Sequence, residues 1–231
     1  MKTQQHPIGE DVRDDMSATV PNRDELRFFG QVNASISHEM KNVLAVINEG
    51  AGLLDDLCLL SAKGRPVDPE KLGLVARSIL GQVKRGDNIV RRMNSFAHSV
   101  DQDVHSFSLL ETMQLMAGIG ERVAASKGLK LDVEECDEVT IEADLYAVEH
   151  LLFAMLRFAV DTTDGGGSRL RFALSNGDDG VLLALRGVYL PEGMKPAEEL
   201  TRLAEGVGAR MDHDAAEGSL NVWIPAHMVR G

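Results

Sequence analysis

From Phe29 onward, apolar side chains recur at spacings of three, four and seven: Phe29, Val32, Ile36, Val43, Val46, Leu53, Leu57 and Leu60. Such a heptad-like stripe predicts one amphipathic helix of about ten turns. Asn22 can cap its start, and Glu25 follows three residues on, as a capping box requires. The run over residues 61–67, which holds a glycine and a proline, breaks the pattern. Asp68-Pro69 then restarts it, with a capping residue and a proline in the first turn. Leu72, Val75, Ile79, Val83, Val90, Met93, Phe96 and Val100 form a second stripe of the same period. Two long amphipathic helices joined by a short loop predict an antiparallel hairpin. Alone it would leave apolar edges in water, so two copies are expected to pair as a dimeric four-helix bundle. Residues 1–21 are polar and aperiodic and predict a flexible tail.

The second half changes rhythm. Ser108 and Glu111 have capping-box spacing and open a helix expected to stop at Gly128. Residues 129–133 and 139–142 alternate like short strands, and Asp144 is placed to cap a helix over 145–160. Asp164-Gly165-Gly166-Gly167 reads as a turn. Strands are predicted over 169–174 and 181–185, separated by the hairpin signal Asn176-Gly177. A helix over 197–205 and a hairpin around Glu217-Gly218 complete the pattern. The expected fold class is α+β: a helical hairpin over residues 22–103, then an α/β sandwich over 104–231 with one sheet covered by helices.

Composition narrows the function classes. Of 231 residues, 44% are hydrophobic, enough to fill a core, and a low aromatic share of 4% leans towards helix. The net charge of -12 argues against nucleic acid, which demands a basic face. Cys58 and Cys136 are the two cysteines, too few for a disulfide framework or a cysteine-rich zinc site. No stretch approaches the roughly 20 apolar residues that cross a bilayer, Glu49 interrupting the most apolar one, and no apolar signal core follows Met1. A cytoplasmic protein without a membrane partner is expected.

Chemistry concentrates at Ser37-His38-Glu39-Met40-Lys41-Asn42, inside the first helix. With Ile36 and Val43 on the buried stripe, His38 is turned about 200° from Ile36 and points to solvent. Asn42 lies one turn later on the same face, and Glu39 flanks the histidine. An exposed imidazole beside a carboxylate can act as a nucleophile, the carboxylate taking or holding the ring proton. The same pair also occurs on solvated helices with no role. A zinc reading fails, because a helical H-E-x-x-H motif needs a second histidine where Asn42 stands.

The segment over residues 29–44, ending Ser35-Ile36-Ser37-His38-Glu39-Met40-Lys41-Asn42-Val43-Leu44, resembles the H-box of the histidine kinase dimerisation and phosphotransfer domain. The resemblance implies that His38 is the phosphoacceptor, Glu39 its acid/base partner, and Asn42 a residue that orients a hydrolytic water. Val43 stands where that family often has a proline, which implies a straighter helix.

The second half is similar to the ATP-binding domain of the same kinases in its order of elements, and the two resemblances together span residues 23–226. The nucleotide residues do not match. The family's metal-binding asparagine falls at Phe158, and the strand that should end Asp-x-Gly-x-Gly reads Leu185-Arg186-Gly187-Val188-Tyr189. Too few residues follow to form the usual lid. The expectation is therefore a chain without its own cofactor, a histidine phosphotransferase that relays phosphoryl groups between response-regulator receiver domains. Those receivers bring the Mg²⁺. The alternatives are a response-regulator phosphatase, a non-catalytic adaptor and an authentic kinase with an unusual site. Met113, Met116 and Met155 are expected in the core. His98, His105, His150, His213 and His227 show no metal-ligand spacing. Lys84, Arg85, Arg91 and Arg92 are read as a solvated face of the second helix, or as a contact for an acidic receiver.

Overall fold

The computed structural model describes residues 23–101, 103–163, 169–177, 179–190 and 194–230. The predicted tail, the Asn22 cap and the turn at 164–167 lie outside the described residues. Helix α1 (Arg23–Ala62) runs for 40 residues without a break, in keeping with a valine at position 43. Gly64, at φ +76°, turns the chain, and helix α2 (Pro69–His98) starts where Asp68 accepts a hydrogen bond from the Glu70 amide at 2.9 Å.

The stripes are buried only in part. Phe28, Val32, Ile36, Val43 and Leu57 are buried on α1, and Val75, Ile89 and Phe96 on α2. Phe28 takes the place expected for Phe29, which is 39% exposed. Val46, Leu53, Leu60, Val83, Val90 and Met93 face outward. The stripe is thus divided: the first turns of α1 meet the second half of the chain, while its middle and far end present an open apolar edge.

The second half comprises strand β1 (His105–Ser108), helix α3 (Leu109–Ala125), strands β2 (Lys130–Val133) and β3 (Thr140–Ala143), and helix α4 (Leu145–Thr162). Strands β4 (Arg169–Gly177) and β5 (Gly180–Arg186) follow, then helix α5 (Glu198–Gly206), strands β6 (Arg210–Asp214), β7 (Ser219–Pro225) and β8 (Val229–Arg230). Side-chain caps begin α3 and α4: Ser108 accepts from the Glu111 amide and Asp144 from the Ala147 amide.

The described strands form two sheets, correcting the expectation of one. Five strands lie in the order β2-β4-β5-β7-β6, with β2 parallel to β4 and the other pairs antiparallel. The third strand, β3, is paired on both edges by β1 and β8 and builds a separate sheet of three, fastened by the Arg230–Glu142 ion pair.

The large sheet is amphipathic, as strand alternation dictates. Leu183, Val222 and Ile224 lie against Val148, Leu151 and Leu152 of α4. Met113, Met116 and Met155 are fully buried. Gly120 permits the close approach of α3 and α4, since a Cβ there would stand 2.0 Å from Leu156 Cδ2.

An aromatic cluster joins hairpin to sandwich. Phe28 stacks on His150 at 4.5 Å between ring centroids and meets Tyr146, Phe96 and Phe153 at 5.2, 5.4 and 5.6 Å. The Tyr146 hydroxyl donates to the Glu25 carbonyl at 2.9 Å. Burial of this junction pushes the Tyr146 phenol up to about 12 and lowers His150.

Candidate functional site

The chemistry predicted at His38 sits on the sixteenth to twentieth residues of α1, where the helix leaves the sandwich. Its buried side is set by Val32, Ser35, Ile36, Glu39 and Val43. His38 and Asn42 are both exposed, and their spacing of four places them one above the other on one helix face. An imidazole so placed is open to a large protein partner, and the Asn42 amide is at hand to bond a water or a phosphoryl oxygen.

Glu39 stands elsewhere. Its side chain is 9% exposed, turned into the seam between α1 and α2, with Oε1 3.6 Å from Arg85 Nη2. The structure therefore brings His38 and Asn42 together in solvent and places Glu39 against α2. The fourfold basic group also divides. Lys84, Arg85 and Arg91 are exposed as expected, Arg85 also pairing with Glu39, whereas Arg92 is half-buried and its Nη1 donates to the Gly118 carbonyl at 3.3 Å. Arg92 departs from the solvated face because α3 lies against that side of α2.

The His38 turn is held from behind. Ser35, 2% exposed, donates its hydroxyl to the Ile119 carbonyl in the middle of α3 at 3.0 Å. Gly118 lets the Arg92 guanidinium lie on the α3 backbone, for a Cβ there would stand 2.4 Å from Arg92 Cζ. Two neighbouring carbonyls of α3 thus receive one donor from each helix of the hairpin. Ser35 carried no sequence signal beyond its place beside Ile36, and Arg92 was expected in solvent.

A cleft of about 330 Å³ opens between the start of α1, the outer face of α4 and the start of α5. Its walls include Arg27, Phe28, His150, Arg157, Phe158 and Leu200. The two arginines are engaged with carboxylates of their own helices, Arg27 with Asp24 at 3.6 Å and Arg157 with Asp161 at 4.0 Å. Phe158, at the position where the kinase resemblance requires a metal-binding asparagine, contributes an aromatic ring to this wall. Arg186 is not in the cleft. It lies on the outer face of the sheet beside its cross-strand partner Arg171, and both reach Glu134, at 2.9 and 3.1 Å. Leu185 and Val188, both 0% exposed, are the apolar side chains at that strand end. Asp24, Gln31, Asp161 and Glu199 also line the cleft, so it holds oxygen donors, but the residue of α4 at which the kinase resemblance expects an asparagine for the metal is Phe158. Among the described residues, no group of three or more His, Cys, Asp or Glu is gathered to hold a metal ion.

One further ionisable group is buried where hairpin and sandwich meet. Glu149 of α4 is wholly buried, and neither carboxyl oxygen has a partner of good hydrogen-bond geometry; the nearby Ser99 hydroxyl donates to the Phe96 carbonyl instead. Burial pushes its carboxyl up to about 8; the hydroxyl of Ser99, just beyond α2, opposes the rise and Asp144 adds to it.

No family profile and no curated protein sequence matches the chain. Among solved structures, it is similar to the nucleotide-free catalytic domain of histidine kinase ThkA. The identity is 15%, over 54% of this chain and 97% of that one, with a TM-score of 0.45. It is also similar to histidine kinase AdeS of Acinetobacter baumannii, at 13% identity over 76% of this chain and 94% of that one, TM-score 0.42. A third likeness is to histidine kinase ThkA in complex with response regulator protein TrrA, at 18% identity over 88% of this chain and 63% of that one, TM-score 0.45. Each is a likeness of fold at low identity. The fold itself is α+β, a helical region followed by a sheet-containing α/β unit.

Proposed function

We propose that this chain is a histidine phosphotransferase of two-component signalling, relaying phosphoryl groups between receiver domains through His38. The observation that carries the reading is an exposed His38, with Asn42 on the same face; beside it, Phe158 of α4 stands where the kinase resemblance expects a metal-binding asparagine. In the forward step, an imidazole nitrogen of His38 attacks the phosphorus of a receiver's aspartyl phosphate. A P–N bond forms as the acyl P–O bond breaks, and the electron pair leaves on the aspartate carboxylate. The second receiver's aspartate reverses these roles. Glu39 is proposed as the acid/base partner of the ring, acting from its place in the seam beside α2. Receivers supply their own Mg²⁺, so this chain needs no cofactor and contributes a positioned nucleophile.

The proposal includes a homodimer. Val46, Leu53 and Leu60 on α1 and Val83, Val90 and Met93 on α2 are exposed along the hairpin, and a second hairpin would cover them in a four-helix bundle. No helix among the described residues is long and apolar enough to cross a membrane. We place the reaction in the cytoplasm, with receivers as partners and neither nucleic acid nor membrane.

The test is a panel of phosphorylated receivers incubated with wild type and with His38→Ala. Label should appear on wild type, pass to a second receiver, and be absent from the variant. The exposed position of Asn42 favours one second reading, a response-regulator phosphatase in which Asn42 directs water. That reading predicts free phosphate without a labelled intermediate, lost in Asn42→Ala. A non-catalytic adaptor predicts receiver binding that survives His38→Ala with no phosphate flow. Binding of ATP at micromolar concentration would restore the kinase reading and sink this account of the second half.

A further inference from the structure

Glu39 occupies a position that helical packing gives to an apolar residue. It follows Ile36 by three and precedes Val43 by four, so it shares their buried side, and its side chain is only 9% exposed. A carboxylate removed from water needs a compensating partner. The register of the hairpin supplies one. A Cβ on Gly86 of α2 would meet Val43 Cγ1 of α1 at 3.5 Å, so the turn of α2 at residues 85–89 faces the turn of α1 that carries Glu39. Arg85 comes in from the solvent side of the seam, its side chain 55% exposed, and its Nη2 stands 3.6 Å from Glu39 Oε1.

We infer that Arg85 is a positioning residue for phosphotransfer at His38, holding the Glu39 carboxylate in the hairpin seam and offsetting its charge beside the phosphoacceptor. The inference rests on the phosphotransferase reading and deepens it. A phosphoryl group arrives as an anion, and a bare carboxylate on the residue next to His38 repels it. Among the described residues, Arg85 is the cation paired with Glu39. Without it the Glu39 side chain turns towards water, which brings its charge to the face that the receiver must approach. The guanidinium is half in solvent, so it can hold the carboxylate while itself staying hydrated.

The effect must run through Glu39, and a double-mutant cycle shows whether it does. Transfer from one phosphorylated receiver is timed for wild type, Arg85→Ala, Arg85→Lys, Glu39→Gln and the double variant Arg85→Ala with Glu39→Gln. Receiver affinity, thermal unfolding and the NMR signals of the His38 ring nitrogens are recorded for each. Arg85→Ala should slow transfer by about tenfold, the scale of coupling between contacting charged residues. Arg85→Lys should recover most of the rate. With Gln at position 39, removing Arg85 should change the rate less than about threefold. The His38 ring signals should move in Arg85→Ala while unfolding temperature and receiver affinity stay close to wild type. Rate losses that multiply in the double variant, or a loss confined to receiver affinity, would make Arg85 a docking residue and overturn the inference. So would wild-type transfer by Arg85→Ala. If His38 of the wild type never takes label, the phosphotransferase reading fails and takes this inference with it. Labelled His38 with independent effects of the two residues removes only the inference.

Discussion

Replacing Glu149 by glutamine probes the junction between hairpin and sandwich without changing its shape. In the folded chain burial holds this carboxyl protonated up to about 8, whereas its ordinary value is 4.5. Between those values the folded state keeps a proton that the unfolded state has released, so stability falls as pH rises. The contribution is fully favourable below 4.5, declines tenfold in the folding equilibrium per pH unit, and levels off above about 8. From pH 5 to pH 7 the loss comes to about 2–3 kcal/mol, a large part of the roughly 5–15 kcal/mol that holds most domains folded. Glutamine cannot ionise, and whatever its buried amide costs is constant with pH. The stability difference between Glu149→Gln and wild type should therefore grow by about 2–3 kcal/mol in favour of the variant over that interval. His150, which burial lowers, works in the opposite sense, but it is present in both proteins and cancels. Urea unfolding at half-unit steps from pH 5 to pH 8 measures the difference directly. Two curves that run parallel across the interval would refute the reasoning, because they would mean Glu149 is solvated in the folded chain.

Four other perturbations follow from the packing. Phe28→Ala removes a 2% exposed ring that touches Phe96, Tyr146, His150 and Phe153, and should lower unfolding stability by about 3–5 kcal/mol in a denaturant titration. Hydrogen exchange should locate the loosening at the first turns of α1. Gly120→Ala drives a Cβ into Leu156 and should cost about 1–3 kcal/mol. By contrast Gly30→Ala, at an exposed helical position with nothing within 4 Å, should gain up to about 1 kcal/mol. Leu53→Glu together with Val90→Glu should turn a dimer into a monomer in sedimentation, since both side chains lie on the open apolar edge. A wild type that is monomeric at high micromolar concentration removes the basis for that variant.

Periodicity made the hairpin legible, but it specifies a face and not what covers the face. Phe28 and Phe29 are adjacent, about 100° apart on the helix, and the local pattern accommodates either one. The choice is made by Tyr146, His150 and Phe153, which arrive more than a hundred residues later in the chain. The small sheet was illegible for a similar reason. Strands β1 and β8 have four and two residues, too short for alternation to register, and their pairing to β3 is wholly non-local. Other features are legible in the sequence itself. The 36–39–43 spacing already put Glu39 inside, which calls for a cation on α2. Alternation through Val181, Leu183 and Leu185 already put Arg186 on the opposite face of the sheet from the core, hence outside the cleft.

The arrangement also bears on why a sandwich accompanies the hairpin at all. Remove it, and Phe28, Val32, Ser35 and Ile36 lose what buries them on one side, over the turns that lead directly into His38. The Ser35 hydroxyl, three residues before the histidine, bonds a carbonyl of α3 that already serves its own helix; a carbonyl has two lone pairs, so the bond breaks nothing in α3. Arg92 does the same from the other helix at the neighbouring carbonyl. The two bonds straddle the hairpin and fix its rotation against α3, which a purely apolar contact would leave freer to slide. On the proposed reading, this is what a phosphotransferase requires of its second domain: a stiff backing for the helix that presents His38. Receivers that bring both the phosphoryl group and its metal need a nucleophile whose position does not drift, and the distance over which it must be right is a fraction of an ångström.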